Sequence, residues 1–254
     1  VEDLIRNGNG YLSKGNNQLA GLNYSVALKK DPESTAAYAG IGEILRREGK
    51  LESAREAFGK GLDKDPLDVP SMLGVARTYG AQGDYKSAAE HLNKALARAP
   101  EDTEVLTELA ISLDAQGQEP QAEPLYLKVI EMKPRLASGH NNLGFNYLLQ
   151  GRYPEAISAF TRAVGIESHS LRIQNNLAVA YALNGNDEKA LRIFEKTVGK
   201  ASAYNNIGYI LMTQGEWEKA ERAFKSALDF NPTYYARAQE NLDRLNRMRK
   251  ESAR

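Results

Sequence analysis

The sequence predicts an all-α fold: a solenoid of seven helix-turn-helix units closed by one C-terminal helix. Three spaced residue sets carry that prediction. Pro32, Pro66, Pro100 and Pro134 follow one another at intervals of 34 residues. Gly15, Gly49, Gly83, Gly117, Gly151 and Gly185 keep the same interval. So do Ala20, Ala54, Ala88, Ala122, Ala156 and Ala190, each followed four residues later by a large side chain: Tyr24, Phe58, Leu92, Tyr126, Phe160 and Phe194. Gly215, Ala220, Phe224 and Pro232 repeat the internal spacing after a four-residue shortening. A fixed period in this range marks a stacked array of supersecondary units.

Each unit reads as a helical pair. In the unit that begins at Ala137, His140, Leu143, Gly144 and Tyr147 fall on one face of a 3.6-residue period. Glycine at unit position 15 then permits a left-handed turn. The second helix carries a small alanine for close approach and a large side chain beside it, and proline at position 32 ends the pair because it lacks an amide donor. One pair cannot bury its apolar face alone, so neighbours must stack. The units run 1–34, 35–68, 69–102, 103–136, 137–170, 171–200 and 201–234, with the closing helix over 235–254.

Four places depart from the pattern. The run NGNGYLSKGNN over 7–17 is rich in glycine, which weakens a helix by up to about 1 kcal/mol per residue, so the first unit is expected to fray. Pro120 falls near a helix start, but Pro124 lies deeper, where proline costs about 3 kcal/mol or bends the helix; a kink between the two halves of the array is expected. The shortening around Val198, Gly199 and Lys200 is expected to reset the angle between units six and seven. After Pro232, Tyr235, Ala238, Leu242, Leu245 and Met248 recur every three or four residues, the stripe of an amphipathic helix that caps the last unit. Arg247, Arg249, Lys250 and Arg254 suit a helix C-terminus, while Glu240, Asp243 and Glu251 argue against a basic membrane-surface helix.

Composition narrows the function. The 33 basic and 33 acidic residues cancel, so bulk charge favours neither nucleic acid nor an anionic membrane. No stretch approaches the roughly 20 apolar residues of a membrane span. Cysteine is absent, which excludes disulfides and thiolate metal sites. His91, His140 and His169 have no ligand-spaced partners, and His140 is expected to be packed. No Walker loop, dinucleotide fingerprint or nucleophile elbow is present. Trp217 takes the place of Tyr85 and Tyr153 and reads as packing. No catalysis, cofactor or metal is expected.

This spacing is identified as that of the tetratricopeptide repeat family, a resemblance covering nearly the whole chain, which implies a right-handed superhelix that binds other proteins. In that family the first helices line the concave face through positions 2, 5, 6, 9, 12 and 13. Asn141 and Asn142, Asn175 and Asn176, and Asn205 and Asn206 stand at positions 5 and 6 of three successive units. The resemblance implies a ladder of position-6 amides holding an extended peptide, because an amide offers donors and an acceptor that match a peptide unit. The alternative is that these asparagines bridge adjacent helices. Arg6, Gly40, Gly74 and Glu108 at the same position confine any ladder to units five to seven. Phe145, Leu149, Val179, Leu183, Tyr209 and Met212 are expected to form an apolar floor. A clamp for acidic chaperone tails is not expected, since Asn141, Ser202 and Asn206 occupy the places where it needs basic residues.

Residues 104–190 carry a narrower likeness. Leu113 and Asp114 before the Gly117 turn, Tyr126, and Arg172, Gln174 and Asn176 before Leu177 and Ala178 resemble the TadD family, the repeat lipoproteins of the tight-adherence (Tad, or Flp) pilus. The resemblance implies a protein at the periplasmic face of the outer membrane, acting as a pilotin that binds a segment of the pilus secretin, with Arg172 in the binding region. It also implies a lipid anchor upstream of Val1. A cytoplasmic repeat adaptor, or a pilotin of type IV pili with another partner, would share the fold.

Overall fold

The computed structural model describes residues 1–230 and 235–252. The described residues are helical, in seven pairs and a closing helix. The pairs are α1 (Glu2–Ser13) with α2 (Asn17–Lys30), α3 (Thr35–Arg47) with α4 (Leu51–Lys64), α5 (Val69–Ala81) with α6 (Tyr85–Arg98), and α7 (Thr103–Asp114) with α8 (Glu119–Met132). They continue as α9 (Ala137–Leu149) with α10 (Tyr153–Ile166), α11 (Leu171–Leu183) with α12 (Asp187–Val198), and α13 (Lys200–Thr213) with α14 (Trp217–Phe230). The closing helix is α15 (Tyr235–Ser252). Contacts divide the chain into two compact units, Val1–Met132 and Lys133–Arg254.

The turn inside each pair is made by the periodic glycine, whose φ lies at 70–81° in all seven pairs. Aspartate side chains at Asp68, Asp84 and Asp102 accept bonds from first-turn amides of α5, α6 and α7, which satisfies donors that have no partner within the helix. The shortened junction works differently. Gly199, at φ 82° and ψ 162°, is the single residue joining α12 to α13, in a region of backbone space open essentially to glycine alone.

In the first unit the buried rings lie between glycines. A Cβ added at Gly8 or Gly40 would come within 2.5 Å or 2.4 Å of the Tyr24 ring, and one added at Gly42 or Gly74 within 2.6 Å or 2.1 Å of Phe58. These rings therefore sit against helix backbone on both sides. The first repeat is an intact helical pair, contrary to the expected fraying. Gly8 admits the Tyr24 ring, and the Tyr24 hydroxyl donates to Asn9 Oδ1 at 2.7 Å. Its outer face is polar: Asp3, Asn7 and Gly10 are exposed where Ala37, Ile41 and Ile44 of the second repeat pack into a core.

Helix α8 continues through Pro124, so the proline does not end it. Only one backbone bond is lost, in the second turn, while Ala122, Tyr126 and Val129 keep the helix packed. The Tyr126 hydroxyl donates to Asp114 Oδ2 at 2.9 Å. Burial, and then the Asp114 charge, push this phenol well above its ordinary range.

In the second unit, Phe160 lies on Gly144 and Phe224 on Gly208, where an added Cβ would approach to 2.8 Å and 2.7 Å. His140 is buried, with Nε2 at 2.9 Å from Pro134 O, so the packed role expected for it holds. Trp217 packs on the cluster formed by α11 to α15, as expected. α15 takes the place that the first helix of a further repeat would fill. Ala238 and Leu245 are buried and Leu242 and Met248 partly so, which makes it the expected cap. Pro232, the Tyr235 side chain and Arg254 lie outside the described residues.

Candidate functional site

Registering α15 on α13 through Ala203 and Ala238, both at 0 % exposure, places Asn241 where Asn142, Asn176 and Asn206 stand in the preceding first helices. The second unit thus presents a row of four amides on α9, α11, α13 and α15. Two steps of this row are bonded across adjacent helices. Asn176 Nδ2 donates to Asn141 Oδ1 at 2.9 Å, and Asn241 Nδ2 donates to Asn205 Oδ1 at 2.8 Å. Asn141 and Asn205 are accordingly buried, and Asn141 also reaches Asn142 Oδ1 at 3.4 Å. These bonds follow the bridging alternative and not the uniform ladder of open amides.

The step between them is open. Asn175, the acceptor that Asn206 would use, instead receives the Thr197 hydroxyl from α12. Among the described residues Asn206 makes no side-chain hydrogen bond. A cleft of about 540 Å³ lies at this step. Its polar wall includes Asn175, Asn205 and Asn206, its apolar wall Val179 and Tyr209, and α15 adds Arg237, Glu240 and Asn241.

Five of the expected site residues therefore meet in one place: Asn175, Val179, Asn205, Asn206 and Tyr209. Phe145, at 49 % exposure, and Leu149 are exposed on α9, and Arg172 is exposed on the first turn of α11; none of the three lines this cleft. Leu183 is half-buried against the core. Met212 departs from expectation. At 1 % exposure it lies inside the cluster with Phe224 and Leu245. Met212, about 60° around the helix from the exposed Tyr209, is turned far enough to enter the cluster packed by α14 and α15.

The contribution of α15 was missed because the tail carries no glycine or proline to set its register. Ala238 was the available signal: counting three residues on from the alanine of each first helix leads to Asn206 from Ala203 and to Asn241 from Ala238.

A second cleft, of about 530 Å³, lies in the first unit along α1, α3 and α5. Gly40 and Gly74 take the places filled by asparagine later, and charge replaces the amides. Arg77 donates to Glu108 Oε1 at 2.7 Å and Glu104 Oε2 at 2.9 Å. Glu43 accepts from Arg46 and Arg47, and Arg47 Nη1 also donates to Leu12 O at 2.9 Å. Burial alone would raise the Glu43 carboxyl, but the bonds from Arg46 and Arg47 outweigh it and hold the group below the ordinary carboxylate range. A depressed value in the folded state means that this carboxylate stabilises the fold above about pH 4.3, its unperturbed value. That stabilisation is lost as pH falls through the folded value. Glu43→Gln is expected to cost about 1 kcal/mol at pH 7, a charged hydrogen bond discounted for solvent. Urea midpoints measured from pH 7 to pH 3 should show the difference from wild type shrinking below about pH 4; a difference independent of pH would refute this role.

Among the described residues no helix is long and apolar enough to cross a membrane, and no group of three or more acidic or histidine side chains could hold a metal ion. Stacked helical pairs with a cleft across the first helices define a scaffold for protein–protein interaction. The chain belongs to the tetratricopeptide repeat family: family models of the repeat match residues 5–69, 81–138, 135–200 and 201–234. A tetratricopeptide repeat protein from Parabacteroides merdae superposes with a TM-score of 0.66 at 22% identity, over 96% of this chain and 98% of that one. PilF of Pseudomonas aeruginosa gives 0.69 at 18% identity, over 81% and 95%. YrrB, described as a repeat protein with an unusual peptide-binding site, gives 0.56 at 23% identity, over 80% and 97%. No curated protein matches the sequence.

Proposed function

We propose that the chain holds an extended segment of a partner protein in the cleft bounded by α11, α13 and α15, and that its setting is the tight-adherence pilus. The observation that carries the cleft reading is Asn206, an amide without a side-chain bond among the described residues, beside the apolar surface of Val179 and Tyr209. Such a group pairs with a main-chain peptide unit of any sequence. The neighbouring Val179 and Tyr209 would take an apolar side chain of the segment. The pilus setting rests on the likeness of residues 104–190 to the TadD family. In that setting the chain acts as a pilotin on the periplasmic face of the outer membrane, held by a lipid upstream of Val1, and its partner is the pilus secretin.

The test uses overlapping acetylated and amidated 12-residue peptides spanning the secretin encoded with the tight-adherence pilus genes of the source genome. One segment should bind the immobilised wild-type chain. Asn206→Ala should weaken it by roughly tenfold, the factor one net hydrogen bond supplies, with helicity unchanged. Binding that survives Asn206→Ala in full would remove the site from this cleft. If no secretin segment binds, the pilus setting fails and a repeat adaptor with another partner remains.

A further inference from the structure

At the open step Asn175 is taken by one hydroxyl. Asn206 follows Asn175 by 31 residues, whereas Asn176 follows Asn141 by 35. The difference is the four residues missing at the junction of α12 and α13, so the two pairs occupy equivalent places. The first pair is bonded and the second is not. What distinguishes them is Thr197, in the last turn of α12, whose hydroxyl takes Asn175 Oδ1 as the closest of three acceptors, ahead of Ile193 O at 3.1 Å and Phe194 O at 3.3 Å. Ala163, 34 residues before Thr197, stands at the same place in its own second helix, so no hydroxyl serves the earlier pair.

Resting on the cleft reading above, we infer that Thr197 is a positioning residue. Its hydroxyl occupies Asn175 and so keeps Asn206 available to a peptide unit of the ligand. Without that hydroxyl, Asn206 closes onto Asn175, as Asn176 closes onto Asn141 and Asn241 onto Asn205. The bond that would fill the cleft's polar wall from within is then no longer offered to the ligand.

Thr197→Val keeps the shape of the side chain and removes the donor. Side-chain amide signals of Asn206 are followed by NMR, first without ligand. Thr197→Val should shift these signals and slow their exchange with water, while Thr197→Ser should leave them as in wild type. An Asn206 amide that does not respond to Thr197→Val overturns the inference. The probe is then N-acetyl-leucine N-methylamide, which carries peptide units on both sides of an apolar side chain. It should perturb Asn206 in wild type and in Thr197→Ser, and bind roughly tenfold more weakly to Thr197→Val, the factor of one net hydrogen bond. The double variant Thr197→Val/Asn175→Ala has no acceptor to close the step and should regain the wild-type response. A merely structural role for Thr197 would not be rescued in this way. Equal binding by wild type and Thr197→Val overturns the positioning role and leaves the cleft standing. A probe that leaves wild-type Asn206 unmoved, with its exchange still slowed by Thr197→Val, refutes the cleft and keeps the positioning role.

Discussion

Phe224→Ala is expected to destabilise the C-terminal end of the array by about 3–5 kcal/mol, the cost of deleting a fully buried ring. Phe224 is at 0 % exposure and lies against Gly208, in one cluster with Met212, Ala220 and Leu245. Few of these neighbours can move into the vacated space, because Gly208 is backbone and Leu245 is held by its own helix. A repeat array is stabilised mainly by nearest-neighbour interfaces, so the loss should stay local. Helices α13, α14 and α15 should open at lower urea than the rest, and hydrogen exchange of their amides should rise. Trp217, the single tryptophan, packs on the same cluster and gives a fluorescence readout of that opening. Loosening α15 also removes Asn241 from Asn205, so the cleft should fail with the core. Phe224→Leu should retain most of the stability, and equal midpoints for the leucine and alanine variants would contradict the ring's place in the core.

The repeat was legible because its period is enforced by backbone requirements. Glycine at position 15 is needed for a left-handed turn, and alanine at position 20 for close approach; both survive as letters in the sequence. The packing that was misjudged involves residues whose meaning depends on a neighbour in space. Gly8 reads as a weak point in a helix until the Tyr24 ring is seen against it. Pro124 reads as a costly position in a helix until the packing of Ala122, Tyr126 and Val129 around it is known. At the candidate site, paired asparagines could be recognised by position, yet nothing in their letters says which amide is bonded. That depends on Thr197, 22 residues from Asn175 in sequence and in contact with it only through the fold. Residues that carry the narrower likeness to pilus lipoproteins also have local structural work: Asp114 accepts from Tyr126, and Gln174 Nε2 donates to Ser168 O at 2.6 Å. Their presence is therefore partly explained by folding alone.

Gly74→Ala should destabilise the first unit by about 1–3 kcal/mol through overpacking, although alanine is the better helix former by about 1 kcal/mol. The new Cβ would stand 2.1 Å from Cε1 and 2.3 Å from Cζ of Phe58. Phe58 is 2 % exposed, and its ring cannot retreat, because a Cβ built at Gly42 would stand within 2.6 Å of it. Either the ring leaves its rotamer or α5 moves off α4. Gly59→Ala supplies the opposite sign. It also lies inside a helix, α4, but an added Cβ meets nothing within 4 Å, so it should stabilise by about 0.5–1 kcal/mol. Shrinking the ring should relieve the clash, making Gly74→Ala/Phe58→Leu less destabilised than the sum of its single variants, as coupled neighbours require. Urea unfolding followed by circular dichroism decides the matter. If Gly74→Ala proves as stabilising as Gly59→Ala, Phe58 has room to move and the glycine at position 6 is not required by packing; the open charged cleft beside it would then need another reason for its small residues.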